Sequence, residues 1–276
     1  MAKKQLDEMS FLDHLEDLRW HLIRATLGIL AAGIIAFMFK NFIFDTIIFG
    51  PTNMSFPTYK GLCSISQFLG INDTTFCADK FPFVIQNRTV SGQFSLHIWT
   101  SIYAGFIVAF PYVLYQFWSF ISPGLKTTER KSSRGFIIIA SFLFFLGVLF
   151  GYYIVTPLSI NFLANYKISE LISNEFDASS VIAIVRSSAI ASGFVFELPI
   201  IIYFLTKIGL VTPQFLRKYR KYALVIVLIL SAIITPPDIA SQVIVAIPIL
   251  ILYQVSIYIS AVVVKNQKRK ESKVKS

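Results

Sequence analysis

Ser192-Gly-Phe-Val-Phe-Glu197-Leu-Pro199-Ile lies inside the apolar run Val181–Thr206, and it sets one carboxylate among residues that otherwise belong in hydrocarbon. A charged side chain at the centre of a membrane helix costs from roughly 3 kcal/mol on insertion scales to 10 or more in simulations. Such a group is retained where it faces water, a polar partner or a transported ligand. The run therefore reads as a membrane span with a polar feature at depth. Composition extends that reading to the whole chain. Hydrophobic residues make up 55% of the sequence, charged residues only 14%, and mean hydropathy is +0.67. A soluble domain carries about 25% charged residues.

Working outward from Val181–Thr206, five further apolar segments are predicted to span: Leu22–Phe44, Phe94–Phe120, Gly135–Pro157, Tyr222–Ile234 and Ile239–Val264. The fold class is all-α, a polytopic membrane protein of six helices in one transmembrane domain, residues 1–276. Tyr222–Ile234 would make only about 20 Å of helix at 1.5 Å per residue, against a hydrocarbon core of roughly 30 Å. Pro111, Pro157, Pro199 and Pro248 interrupt other spans. Kinked helices around a short one predict a curved, concave wall rather than a straight bundle.

Charge sets the orientation. Of the 25 Lys and Arg residues, 19 lie on the side of the two termini, the 121–134 loop and the 207–221 loop, counting Arg24 at the start of the first span. By the positive-inside rule these lie in the cytoplasm, which requires an even number of spans. The net charge of +10 thus reports topology and not nucleic-acid binding. No cleavable signal peptide is evident, since the segment before the first span is acidic. The tail, residues 265–276, is strongly basic.

Both cysteines, Cys63 and Cys77, fall in the first outside loop, residues 45–93. Confinement to an oxidising face predicts one disulfide closing a modest loop, with two free thiols as the alternative. The prolines, aromatics and cysteine pair of this loop predict an ordered cap.

The N-terminal segment, residues 10–21, reads as an amphipathic helix running into the first span, with Ser10 as N-cap. Phe11, Leu12, Leu15 and Leu18 share one face, and Asp13, Glu16 and Asp17 gather on another. Those acids are either a solvated face compensating the helix dipole or a site awaiting a basic partner. At the end of the second span, Tyr112, Tyr115, Trp118 and Phe120 form an interfacial aromatic cluster. Glu129 follows, the one acid in a loop of basic residues, where a local salt bridge is the simple reading. Pro236, Pro237 and Asp238 form a rigid polar turn, and Gln242 lies just inside the next span.

Catalysis finds little support. The three histidines, His14, His21 and His97, form no metal-binding pattern, and neither a nucleophile elbow nor a P-loop occurs. No enzyme activity, metal or cofactor is expected. Acids beside an aromatic platform suit a guanidinium, which binds carboxylates bidentately and stacks on rings. An ion-coupled secondary transporter using Glu197 as proton carrier is the alternative, although no internal repeat is visible.

Several motifs together resemble a known family. Phe11-Leu-Asp-His14-Leu-Glu-Asp17-Leu-Arg19 is similar to the N-terminal signature of TatC, the polytopic subunit of the twin-arginine protein translocase. Pro111-Tyr-Val-Leu-Tyr-Gln-Phe-Trp-Ser-Phe120-Ile-Ser-Pro123-Gly-Leu125, followed by Glu129-Arg-Lys, resembles its first cytoplasmic loop. Phe196-Glu197-Leu-Pro199, Gly209-Leu-Val-Thr-Pro213 and Thr235-Pro-Pro-Asp238 with Ser241-Gln242 continue the pattern.

The resemblance implies a Sec-independent translocase core subunit of the bacterial inner membrane, with both termini cytoplasmic. It would bind twin-arginine signal peptides of folded proteins and nucleate the export complex. Asp17 and Glu129 would read the arginines beside Phe120, with Glu16, Arg19, Pro123 and Leu125 completing the site. The family has Glu where this chain has Asp17. Glu197 and Gln242 would form an intramembrane polar site. Short fifth and sixth spans would dock single-span TatA/TatB-type subunits, and further copies of the chain would join the complex.

Overall fold

The computed structural model describes residues 11–68, 70, 77–78, 80–121, 133–169, 171–235 and 238–275. Ser10 and its proposed cap fall outside these residues. Among the described residues the architecture is all-α apart from one pair of four-residue strands. Helix α1 is Phe11–Met38, α2 Pro57–Phe68, α3 Gly92–Ile121, α4 Ser133–Phe150 and α5 Thr156–Asn165. Helix α6 is Ala178–Phe196, α7 Leu198–Lys207, α8 Pro213–Lys218, α9 Arg220–Ile234 and α10 Ile239–Lys275. Among the described residues, five segments are long and apolar enough to cross a membrane: His14–Met38, Gly92–Ile121, Gly135–Asn165, Ala178–Lys207 and Ser241–Arg269.

The expected short helix is α9, with 15 residues. The expectation of a short final helix is corrected, because α10 runs for 37 residues. After Pro248 no glycine or proline interrupts the chain, and the Lys, Gln, Arg and Glu of the tail are strong helix formers. The Gln267 amide also donates to the Lys207 carbonyl at 2.9 Å, tying the extended helix to the end of α7.

The chain divides into two compact units, residues 1–44 with 89–142 and residues 45–88 with 143–276. In the first, α1 and α3 run antiparallel in close contact. A Cβ on Gly105 would lie 2.5 Å from the Gly33 nitrogen and 2.7 Å from the Ile29 carbonyl. Only glycine lets these backbones approach so closely, the packing that small residues provide where hydrocarbon supplies no drive for association. At one end of the pair His97 stacks on Phe37, with ring centroids 3.8 Å apart.

In the second unit the same device recurs, since Gly147 and Gly151 abut the backbone of Ser188, Ser192 and Gly193. A π-helical segment, Gly151–Val155, joins α4 to α5. Pro157 has no N–H for the carbonyl one turn earlier. The Thr58 hydroxyl donates to that carbonyl, on Tyr153, in its place. The cap thus satisfies a backbone group that proline frees.

The expected cap is well built around aromatic rings. Phe56 packs on Tyr152 and Tyr153, and Tyr59, Phe81, Phe83 and Phe176 continue the contacts. Tyr59 is fully buried, and its hydroxyl lies 2.9 Å from the Pro51 carbonyl and 3.0 Å from that of Pro157. Burial pushes its phenol well above the usual tyrosine range. Strands β1, Phe83–Gln86, and β2, Asn174–Asp177, pair in parallel, with Phe83 opposite Asn174 and Gln86 opposite Asp177. Asp177 then caps α6, accepting from the Ser179 amide at 2.8 Å and from its hydroxyl. These bonds hold its carboxyl below the usual carboxylate range. Cys63 and Cys77 are joined by a disulfide, 14 residues apart in sequence.

Candidate functional site

The acidic face of α1 meets the end of α3 through one histidine. Asp17 is about half exposed, with its Oδ1 3.8 Å from His21 Nε2 one turn along the helix. The other ring nitrogen, His21 Nδ1, lies 2.7 Å from Gln116 Oε1, and Gln116 is buried. An amide oxygen only accepts, so this contact is a hydrogen bond when Nδ1 is protonated, and Nε2 faces the Asp17 carboxylate. His14 stacks on Phe120 with ring centroids 4.5 Å apart, and His21 meets the same ring edge-on at 6.4 Å. The seam beneath, between Leu18, Leu22, Ala25 and Phe117, has room for about one water, roughly 10 Å³. A guanidinium cannot enter it. The seam packs the start of α1 against the end of α3.

Glu16 and Arg19 are exposed on the same helix. Glu129, Pro123 and Leu125 lie outside the described residues. The structure therefore brings Asp17 and Phe120 to one place and adds His14, His21 and Gln116, which the motif reading passed over. Their signal was present in the sequence. His14 and His21 are seven residues apart on one helix face, and Gln116 is a lone amide among aromatics.

Glu197 stands at the joint between α6 and α7. Its backbone N–H donates to the Phe194 and Val195 carbonyls, and Pro199 lacks the donor that would otherwise use the second of these. The side chain is only 6% exposed, and its Oε1 has no hydrogen-bond partner among the described residues. Neighbouring Phe196 packs on Phe150 with ring centroids 5.3 Å apart. Val195 and Leu198 pack on the buried cluster of Val155, Val227, Val245, Ala246 and Ile249. An apolar setting of this kind makes an unmet carboxyl oxygen expensive.

Gln242 does not supply the missing bond. Its amide donates to the Leu228 carbonyl at 3.1 Å, bracing α10 against α9. Asp238 Oδ2 accepts from the Ser241 N–H at 2.8 Å and starts α10. Pro236 and Pro237 lie outside the described residues.

The family model described as Sec-independent protein translocase protein (TatC) matches residues 13–248. The chain belongs to the TatC family. The TatC protein of Blattabacterium sp. subsp. Periplaneta americana (strain BPLAN) is 46% identical over 265 residues, covering 96% of this chain and all of the relative. That of Aquifex aeolicus (strain VF5) is 33% identical over 261 residues, covering 94% and 98%. A crystal structure of the twin arginine translocase receptor TatC aligns over 90% of this chain and 99% of its own, at TM-score 0.69 and 33% identity. A second such structure aligns at TM-score 0.65 and 31% identity, over 91% and 99%. The TatC match includes Asp17, Phe120, Glu129, Glu197 and Gln242, and it ends before the basic extension of α10.

Proposed function

We propose that this TatC-family chain is the receptor subunit that captures twin-arginine signal peptides of folded proteins at the cytoplasmic face of the inner membrane. One observation carries the reading: His21 lies between the Asp17 carboxylate, 3.8 Å away, and the Phe120 ring, which it meets edge-on, and it is anchored on Gln116. A carboxylate next to an aromatic face fits a guanidinium through charge-assisted hydrogen bonds on one side and stacking on the other. Glu129 supplies the second carboxylate for the second arginine, with Glu16, Arg19, Pro123 and Leu125 around it.

In this reading α9 is a sixth span, which its 15 residues achieve by thinning the bilayer or sheltering behind longer neighbours. Both termini then lie in the cytoplasm, as the loop charges require. Single-span TatA/TatB-type subunits and further copies of the chain assemble on the α9–α10 side, and the buried, unmet Glu197 carboxyl lies behind it at the α6–α7 joint. An ion-coupled transporter would use the same carboxyl, and solute flux through proteoliposomes of the isolated protein would reveal it.

Crosslinking to a photoreactive twin-arginine peptide tests the capture site on the full chain. Asp17→Ala and Glu129→Ala should each weaken crosslinking about tenfold or more, since a hydrogen bond to a charged group contributes roughly 1.5–3 kcal/mol. Wild-type crosslinking in both variants would remove these acids from the site.

A further inference from the structure

A second candidate site, remote in sequence from the capture residues, opens between α8 and the extended end of α10. The cavity there has a volume of about 500 Å³. Helix α10 contributes Ala261, Val264, Lys265 and Lys268. These stand at positions i, i+3, i+4 and i+7, so they form one stripe of the helix. The stripe changes character along its length. Ala261 and Val264 are half-buried and apolar, whereas Lys265 and Lys268 are exposed and cationic. The change takes place over about 10 Å of helix rise. Helix α8 faces it with the Arg217 guanidinium and the polar Thr212 and Gln214. None of the three cations lies within ion-pair distance of a carboxylate among the described residues.

The walls are fixed by the backbone. Gly209 adopts φ +84°, a left-handed conformation that ends α7 and turns the chain into α8. The Leu210 N–H returns to the Leu205 carbonyl at 2.9 Å. The Thr212 hydroxyl caps α8 by accepting from the Phe215 N–H at 3.2 Å. Across the gap, the bond from Gln267 to the Lys207 carbonyl holds α10 in place.

We propose that this cavity binds the phosphate of an anionic phospholipid, with the acyl chains along Ala261 and Val264 and the headgroup between Arg217, Lys265 and Lys268. A soluble phosphate would use the cations alone. The apolar half of the same stripe is what selects an amphiphile, and the site lies at the level where the apolar run of α10 ends at Val264. Basic pockets between membrane helices at this depth are suited to anionic headgroups, and Arg holds a phosphate through two parallel hydrogen bonds. The site does not depend on the capture reading.

Native mass spectrometry of the full-length protein, with equal amounts of dioleoyl phosphatidylglycerol and dioleoyl phosphatidylcholine, tests it. The wild type should retain phosphatidylglycerol preferentially. R217Q/K265Q/K268Q should lose that preference by about tenfold or more, since each cation near an anionic surface contributes roughly fivefold. K218Q/K221Q/R269Q removes the same charge from nearby positions that do not line the cavity, and it should keep the preference. Equal loss in both triple variants would mean a diffuse basic surface and would overturn the proposal. So would displacement of the lipid by an equal concentration of inorganic phosphate, or the absence of a preference in the wild type.

Discussion

His21 stands between the Asp17 carboxylate and the Gln116 amide. Its ring joins an exposed acid to a buried amide, so its removal acts at both ends. His21→Ala strands Gln116 Oε1 in a buried position. An unmet buried acceptor costs about 1–3 kcal/mol, and thermal unfolding of the purified protein should show that loss. Glu197 presents the opposite case, because its Oε1 is already unmet. Glu197→Leu should leave the thermal midpoint equal or higher while export of a twin-arginine substrate falls about tenfold or more. Lower stability with undiminished export would show that the carboxyl is structural. The sequence makes Glu197 conspicuous as a lone acid in an apolar run. It does not disclose that Gln242 is engaged by Leu228, since that bond depends on how α9 and α10 fold back on each other. His21 stayed hidden because a search for metal-ligand spacing gives no weight to a histidine whose partner is 95 residues away.

Helices meet here through glycine, and Gly105 is the tightest point of the α1–α3 pair. Gly105→Ala would push a Cβ into the backbone of Gly33 and force the helices apart. Overpacking of this kind costs about 1–3 kcal/mol. Gly135→Ala, where a Cβ meets nothing within 4 Å, should be neutral or stabilising. Thermal unfolding of the two variants side by side separates packing from propensity. Hydropathy located every long helix, and Val181–Thr206 matches Ala178–Lys207 closely. Ends were harder to read. Pro157 looks like a terminus, but the π-helical segment before it lets the helix continue to Asn165. The tail looks like a polar extension, but its residues favour helix and α10 continues through them. The β1–β2 pair was invisible, since four-residue strands 91 positions apart leave no periodic signal.

At the scale of the molecule, two kinds of information converge. Composition and loop charge make the chain a polytopic membrane protein without reference to any relative. Family membership, shown by the match over residues 13–248, then says which polytopic protein it resembles in structure and sequence. The 45–93 loop stands apart from both. Its aromatic packing, its disulfide and its strand β1, paired with β2 from outside the loop, build a cap within the second unit, and the capture proposal assigns it no part. In the other unit, the proposed capture site would receive paired guanidiniums on Asp17, near the start of α1, and on Glu129. Lysine carries the same charge as a compact ammonium that can neither bind bidentately nor stack as a plane. The most direct test is therefore the affinity of the purified full-length protein, by fluorescence anisotropy, for one signal peptide with paired arginines and for its paired-lysine counterpart. The capture site predicts that the arginine peptide binds about tenfold more tightly or better. Equal affinity for the two peptides would contradict it.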